Sequence, residues 1–230
     1  MSLKDDLGAQ VKKIFKEQWS ERDGKVVPEP GDLKLSNDAV KLDGVVLYAD
    51  MSESTKLVDS RKASFAAEVY KSFLHCAAKI IRSEGGDITA YDGDRIMAVY
   101  TGDSKNTSAA RAALKINYAR IHIINPALKS QYPKAAYEVK HTVAVDSSKL
   151  FVARTGIRGS NDLVWVGRAA NHAAKMGSLS NVYPSRISSN VYDMLHESVK
   201  FSKGKPMWEK VTWTGMNRTI YRSTWWWRIS

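Results

Sequence analysis

Two aspartates occupy positions where their neighbours in the chain could make them metal ligands. Asp50 directly follows a short apolar run, residues 45–49, which has the profile of a buried central strand. Asp94 lies just past an Asp-Gly turn that joins two strand-like runs, the pattern of a β-hairpin. If the hairpin pairs with the first strand, the two carboxylates meet at one edge of the sheet. Paired carboxylates offer the hard oxygen ligands that Mg²⁺ or Mn²⁺ prefers, and they leave positions for the phosphates of a substrate.

The same residues have ordinary structural explanations. Aspartate is common at strand ends, and turn chemistry alone explains Asp92, which competes with Asp94 as a ligand. The segment after Asp50 places backbone N–H groups and hydroxyls at a helix N-terminus, where a triphosphate could bind. Its serine and threonine could equally be a helix cap. The residues of this segment are Met51, Ser52, Glu53, Ser54 and Thr55.

The elements around these aspartates follow the order strand, helix, hairpin, helix, strand. This order predicts an α+β fold with a ferredoxin-like βαββαβ core. Many functions share that architecture, so the fold alone identifies none of them. Helices are expected at residues 56–84, 104–124 and 167–179, and strands at 45–49, 88–91, 94–100, 137–145, 150–155 and 163–166.

The two ends of the chain extend this core. Residues 3–21 predict a helix, because apolar residues recur at a spacing of four, and residues 23–32 are typical of a linker. We therefore expect an N-terminal helix and linker over residues 1–43 and a main domain over 44–230. Strands near 207–213 and 219–224 precede Trp225-Trp226-Trp227, which we expect to pack on the C-terminal edge of the domain.

Composition favours a globular, cytoplasmic protein. The 230 residues are 43% hydrophobic and 26% charged, and no apolar run approaches the ~20 residues that a membrane helix needs. Cys76 is the single cysteine, which excludes an intrachain disulfide and suits a reducing compartment. The net charge of +11 is spread without a basic block, so it indicates a triphosphate ligand as well as it indicates nucleic acid. We expect no membrane and no nucleic-acid partner.

Three segments in one order resemble the class III adenylate and guanylate cyclases. Residues 45–55 are similar to the first metal motif of that family, and Gly85-Gly86 followed by residues 93–100 is similar to the second. Residues 165–176 resemble the helix that carries the transition-state residues. The match spans roughly residues 44–179. It implies a nucleotide cyclase that closes a nucleoside triphosphate into a 3′,5′-cyclic monophosphate and releases pyrophosphate.

The resemblance also implies roles for individual residues. Asp50 and Asp94 would hold two divalent ions, Mn²⁺ or Mg²⁺, with the carbonyl of Met51 as a further ligand. Asn171 matches the asparagine that orients the ribose. Lys175 stands where the family usually has an arginine that stabilises charge on the α-phosphate, and lysine keeps the cation but loses the planar fork. In the class III pattern these two groups of residues come from different chains, so a homodimer with shared sites is implied.

The residues that read the base depart from the adenylate cyclase pattern. Ala90 and Val164 stand where adenylate cyclases commonly have a lysine and an aspartate, and Tyr48 replaces the usual phenylalanine. This pattern is similar to the bacterial pyrimidine cyclases of the Pycsar anti-phage systems, whose cyclic UMP or cyclic CMP is sensed by a separate effector. We therefore expect UTP as the substrate, although these residues do not separate UTP from CTP.

Other functions fit part of the pattern. An adenylate or cytidylate cyclase, or an inactive cyclase-like interaction module, would keep the fold, and the lysine at position 175 supports the inactive form. A palm-type nucleotidyltransferase would share the paired aspartates but would not need Asn171 and Lys175. A nucleic-acid-binding protein fits the charge and the tryptophans but gives Asp50 and Asp94 no role.

Overall fold

The computed structural model describes residues 2–229, which form helices α1–α8 and strands β1–β11. The helices are α1 (Leu3–Lys16), α2 (Ser54–Ser60), α3 (Ala63–Ser83), α4 (Lys105–Ala119), α5 (Asn125–Gln131), α6 (Arg168–Gly177), α7 (Ser189–Asp193) and α8 (Glu197–Lys200). The strands are β1 (Ser20–Asp23), β2 (Asp38–Ser52), β3 (Asp87–Asp92), β4 (Arg95–Tyr100), β5 (Lys140–Ile157), β6 (Ser160–Val166), β7 (Ser185–Ser188), β8 (Phe201–Ser202), β9 (Lys205–Pro206), β10 (Glu209–Trp213) and β11 (Arg218–Ser223). A π-helical segment, Arg120–Ile124, joins α4 to α5.

One twisted sheet organises the described chain. Its strands follow the order β10-β11-β7-β5-β2-β4-β3, while β1 pairs with β2 and β6 pairs with β5. The four strands β5-β2-β4-β3 are connected through α3 and α4, and β2 is antiparallel to both of its main neighbours. This is the spatial order of the ferredoxin-like βαββαβ core, so the predicted fold class is confirmed.

The two faces of β2 pack against different helices. Odd-numbered residues such as Val45 and Leu47 belong to a core with α3 and α4, whereas Val46 packs with alanines of α6. Because side chains alternate along a strand, Tyr48 and Asp50 lie on the same face as Val46. That face therefore carries both the predicted base-reading and the predicted metal-binding residues.

The N-terminal region is more ordered than the sequence predicted. α1 ends at Lys16 rather than near residue 21. Residues 20–23, expected to end the helix and begin the linker, instead form β1, which pairs with β2. Two side chains stabilise this arrangement. Asn37 Nδ2 donates to the carbonyl oxygens of Ile14 and Glu17 at 2.8 and 2.7 Å, and Arg22 Nη1 lies 2.7 Å from Asp38 Oδ1. β2 begins six residues before Gly44, so the expected boundary at residue 44 falls inside a strand.

α1 is amphipathic, and its apolar stripe is exposed. Leu7 and Val11 are about half exposed, and Phe15 is almost fully exposed. None of its residues is buried against the sheet. Across residues 2–229, no helix combines the length and the apolar character that crossing a membrane requires.

Several other predicted boundaries were wrong for local reasons. The helix expected at 56–84 is divided, because Arg61 and Lys62 adopt extended conformations between α2 and α3. The two strands expected at 137–145 and 150–155 are one strand, since Ser147 and Ser148 continue the ladder opposite Val45 and Gly44. The polar strand β7 was not predicted.

The C-terminal tryptophans pack as expected. Trp225 and Trp227 lie against the main core, and Trp227 N donates to Leu114 O at 3.1 Å. Trp226 is partly exposed and contacts the rings of Tyr118 and His122. The three tryptophans therefore fix the end of the chain to α4 rather than forming a continuous stacking surface.

A buried histidine of β5 predicts a pH-dependent stability. His141 is 1% exposed, neither of its ring nitrogens has a hydrogen-bond partner within residues 2–229, and burial lowers its pKa to about 3. Below its ordinary pKa of 6.5, only the unfolded chain gains this proton. The free energy of unfolding should therefore fall by up to about 1.4 kcal/mol per pH unit between pH 6.5 and 3.

His141→Leu should remove this contribution. Urea unfolding followed by circular dichroism at pH 7 and pH 5 should show a loss of stability that is about 2 kcal/mol smaller in the variant than in the wild type. The difference between the two proteins isolates His141, since the remaining titrating groups are shared. Equal losses in both proteins would show that His141 is protonated in the fold.

Candidate functional site

Asp50 and Asp94 come together through the pairing of β2 with β4. Asp50 is in register with Arg95, so the residue just before Arg95 lies at the same end of the sheet. Asp94 is close enough that its charge raises the pKa of Asp50. The hairpin and the first strand are therefore neighbours, as the sequence predicted, and the two carboxylates share one edge.

The edge that carries Asp50 and Asp94 has more negative than positive charge. The pKa of Asp50 is raised to about 6, chiefly by burial; the charge of Arg95 opposes this rise, and the charges of Asp94 and Asp92 add to it. Arg95 Nε lies 3.7 Å from Asp50 Oδ2. One partly exposed guanidinium thus faces three carboxylates, and a multivalent cation would be favoured there.

The carboxylates fit a divalent metal. Asp94 Oδ2 is buried and accepts no hydrogen bond from residues 2–229, which leaves a hard oxygen donor without a partner. Met51, whose carbonyl was the third expected ligand, is buried at the end of β2. Within the same residues, no group of three or more His, Cys, Asp or Glu side chains is arranged to hold a metal. The remaining coordination positions would fall to backbone, water and substrate oxygens.

The segment expected to bind the triphosphate connects β2 to α2. Glu53 is the N-cap residue of α2 in a left-handed conformation, with φ of 64°, and no side chain caps the helix. The alternative role of Ser54 and Thr55 as a simple cap is therefore wrong. Glu53 is exposed, and its carboxylate accepts from Lys140 Nζ at 3.0 Å and from Asn181 Nδ2 at 3.4 Å. Phosphate binding by residues 52–55 stays a prediction.

The base-reading positions Tyr48 and Ala90 lie in one row across the sheet. Both are paired with Met97, Tyr48 from β2 and Ala90 from β3, and the three side chains belong to the same cluster. Burial raises the pKa of the Tyr48 hydroxyl, and the Arg95 guanidinium lies 5.9 Å from the centre of its ring. The row forms an apolar surface with one neutral hydroxyl group.

Val164 lies in a different part of the chain from Tyr48. β6 pairs with the outer half of β5, where Val164 is opposite Ala153, whereas Tyr48 is opposite Ala144. Nine residues of strand separate these two positions, which corresponds to roughly 30 Å. Within one chain, Val164 and Tyr48 cannot line the same pocket.

Asn171 and Lys175 lie on the outer face of α6. Both are exposed, and they are one helical turn apart. The opposite face carries Ala169, Ala170 and Ala173, which pack against the chain's own sheet. These three alanines are therefore buried within the chain. Within residues 2–229, no hydrogen bond or ion pair joins Asn171 or Lys175 to either aspartate.

Two charged residues of the site were not assigned from the sequence. Arg95 belongs to the second motif, but its contact with Asp50 depends on the register of β4, which the sequence does not display. Lys140 is bonded to Glu53 although 87 residues separate them in the chain. The sequence signal for this contact was an acidic residue, Asp50, and a basic residue, Arg95, on two strands that were expected to be neighbours.

Comparison with known proteins identifies relatives over the whole chain. A uridylate cyclase of Xanthomonas perforans is 53% identical over 231 residues, and a uridylate cyclase of Burkholderia cepacia is 49% identical over 231 residues. Each alignment covers 100% of this chain and 100% of the relative. No family model matches the chain.

Solved structures share the fold at low sequence identity. The adenylyl cyclase CyaB from P. aeruginosa matches with a TM-score of 0.65 and 20% identity, over 83% of this chain and 97% of that structure. A guanylate cyclase domain from Catenaria anguillulae, in complex with GTP, matches with a TM-score of 0.65 and 16% identity, over 81% and 99%. The ferredoxin-like core is therefore the one found in nucleotide cyclase catalytic domains.

Proposed function

We propose, from the premise that this chain belongs to the uridylate cyclase family, that it converts UTP to 3′,5′-cyclic UMP and pyrophosphate. The observation that carries the proposal is the juxtaposition of Asp50 and Asp94 at one edge of the sheet, with a buried oxygen of Asp94 left without a partner. A chain that served only as an interaction module would gain nothing from two half-buried carboxylates beside a single guanidinium. The inactive alternative is therefore disfavoured.

In this proposal the two aspartates bind the metals and position the triphosphate. Two divalent ions, held by Asp50, Asp94 and the carbonyl of Met51, would acidify the ribose 3′-hydroxyl and offset the charge of the departing pyrophosphate. Arg95 lies beside Asp50, and its charge favours the ionised carboxylate against the effect of burial. Residues 52–55 would hold the phosphates with backbone N–H groups and hydroxyls.

Asn171 and Lys175 would act on a substrate bound by a second copy of the chain. Their side chains lie on the face of α6 that points away from their own sheet, so they are available to a partner. Asn171 would orient the ribose, and Lys175 would stabilise charge on the α-phosphate as a point cation. A homodimer with two-fold symmetry then forms two equivalent sites. Val164 would reach the base of the partner's substrate in the same way.

The row of Tyr48, Met97 and Ala90 would receive the base. It offers an apolar surface and one hydroxyl, and it lacks the charged side chain with which adenylate cyclases read adenine at position 90. An unmatched polar group in a buried pocket lowers affinity strongly, so a site without that lysine gives adenine no preferred contact. This favours a pyrimidine, and the family favours UTP over CTP.

We expect UTP to be the best of the four common ribonucleoside triphosphates. The measurement is kcat/KM for each triphosphate with Mn²⁺, with products identified by mass spectrometry. A preference for UTP over ATP of about 100-fold or more is expected, because discrimination through a matched buried hydroxyl is large. Tyr48→Phe should lower that preference while leaving the rate with ATP nearly unchanged. A higher kcat/KM for ATP would contradict the pyrimidine substrate and would leave cyclisation itself intact.

The biological setting is a further proposal that the family resemblance supports. A chain that makes cyclic UMP needs a receptor for it, and we propose a separate cyclic-nucleotide-binding effector in bacterial antiviral defence. The expected cytoplasmic location belongs to the same proposal. The measurement is protection of bacteria from phage by the chain expressed with a cyclic-UMP-binding effector; protection is expected with the wild type and not with Asp50→Ala, and equal survival with both would contradict the proposal.

A further inference from the structure

Asp146 is a carboxylate buried beneath the N-terminal half of α6. Its side chain has no exposed surface. Oδ1 accepts from Ser147 N at 2.8 Å, whereas Oδ2 lies 3.4 Å from Arg168 Nε and 3.4 Å from His172 Nδ1 without a hydrogen bond to either. A buried carboxylate is strongly unfavourable unless groups of opposite charge compensate it. Asp146 therefore depends chiefly on Arg168 for its compensating charge, because burial lowers the pKa of His172 and disfavours its charged form.

The residues next to Asp146 hold the same helical turn. Arg168 Nη2 donates to Ser147 O at 2.6 Å, and Ala169 N donates to Ser148 Oγ at 3.0 Å. Three consecutive residues of β5 thus contact the first turn of α6. Ser148 Oγ, which accepts this bond, also serves as the side-chain cap that the N-cap residue Gly167 cannot provide.

These contacts restrict rotation of α6 about its axis. The first two turns of the helix meet the sheet mainly through alanines, which permit close approach but have no long side chains that interlock with the strands. On the side of Asp146, a cavity of about 170 Å³ lies between the N-terminal half of α6 and residues of β10 and β11. It is lined by Arg168, His172, Trp213 and Arg218, among others. The charged contacts therefore act at the N-terminal half of the helix, whereas Met176 packs its C-terminal half against Trp213 and Ile220.

We propose that Asp146 is a positioning residue for the shared site, which sets the direction of Asn171 and Lys175 by fixing the rotation of α6. Arg168 and His172 are one turn apart on the face that contacts Asp146, and Asn171 and Lys175 are one turn apart on the adjacent outer face. A rotation that loosened the first pair would displace the second. This inference rests on the proposed function, and Asp146 itself contacts no substrate.

Asp146→Asn tests the proposal, because it keeps the shape of the side chain and removes its charge. We expect kcat for cyclisation to fall about 10- to 100-fold, with KM for UTP changed less than about threefold, because misplaced catalytic groups lower the rate of the chemical step. In a Lys175→Ala background, the same substitution should lower kcat less, since the part of its effect that acts through Lys175 is already lost and only the part through Asn171 remains. Equal losses in the two backgrounds would show a merely structural role and overturn the proposal.

Asp38→Asn is the matched control. Asp38 is also buried, pairs with Arg22 at 2.7 Å and accepts from Lys34 N at 2.9 Å, but its partners do not belong to α6. We expect Asp38→Asn to lower stability and to leave kcat within about threefold of the wild type. A similar fall in kcat for both variants would contradict a specific role of Asp146.

Hydrogen exchange provides a second measurement that does not require activity. Amides of α6 should exchange faster in Asp146→Asn than in the wild type and should be unchanged in Asp38→Asn. If the wild-type chain cyclised no triphosphate, the proposed function would fail while this measurement still decided the role of Asp146. Unchanged exchange in α6 would overturn the inference. If Asp146→Asn does not fold, Arg168→Lys takes its place, since it keeps the cation but loses the bond to Ser147 O. Its kcat and the exchange of its α6 amides are then measured in the same way, with the same results expected.

Discussion

Replacing Asp50 or Asp94 with alanine is expected to lower kcat for cyclisation by about 1000-fold while the chain keeps its fold. Loss of a metal ligand removes several kcal/mol of transition-state stabilisation, and about 4 kcal/mol corresponds to about 1000-fold in rate. Stability should not fall, because burial opposes the ionisation of Asp50 and Asp94 Oδ2 has no partner within residues 2–229. Without metal, neither carboxylate contributes a contact that the fold requires.

The measurements are kcat with UTP and Mn²⁺ and the midpoint of thermal unfolding in the absence of metal. Each alanine variant should unfold at the wild-type temperature or slightly above it. Asp92→Asn is the matched control, since Asp92 is exposed at the end of β3 and lies next to the same turn. It should retain kcat within about threefold. An unfolded Asp50→Ala protein, or one with full activity, would count against the site.

Mixing two inactive variants is expected to restore about a quarter of the wild-type sites. In the proposed dimer, Asp50 of one chain and Asn171 of the other serve the same substrate. Asp50→Ala protein mixed with Asn171→Ala protein would form mixed dimers in which one site carries both substitutions and the other carries neither. Random exchange makes half of the dimers mixed, and half of their sites are intact, so about one site in four should be active.

Exchange of subunits must be measured in the same mixture, for example by energy transfer between labelled chains. If exchange is complete and activity stays at the level of the separate variants, the site lies within one chain and the shared-site model is wrong. The positions of Asn171 and Lys175 on the outer face of α6 predict the opposite result. Asn171→Ala mixed with Lys175→Ala should restore no activity, because α6 of one chain supplies both residues to each site. Every site in a mixed dimer would therefore carry one of the two substitutions.

The core of the fold was predictable because its signals are local. The apolar run before Asp50, the Asp-Gly turn and the order of elements are each visible in a few neighbouring residues, and together they predicted β2, the β3–β4 hairpin and the βαββαβ core. β1 and β7 were missed because their sequences, Ser-Glu-Arg-Asp and Ser-Arg-Ile-Ser, have no apolar alternation. They are strands because a neighbouring strand offers them backbone partners.

The site was predictable only as far as it depends on residue type. Asp50 and Asp94 were found from their positions at a strand end and a turn. Arg95 was not assigned, because its place beside Asp50 follows from strand register, and Asp146 was not noticed, because a single aspartate within an apolar strand gives no signal of its partners. The alanines of α6 could have faced a second chain or the chain's own sheet, and only their contacts decide.

The product of the purified chain tests the central claim most directly. UTP and Mn²⁺ are incubated with the wild-type protein and with Asp94→Ala, and the products are separated and identified by mass spectrometry. The account predicts cyclic UMP and pyrophosphate in equal amounts from the wild type and neither above background from the variant. Linear UMP with pyrophosphate, or UDP with phosphate, would show hydrolysis rather than cyclisation and would contradict it.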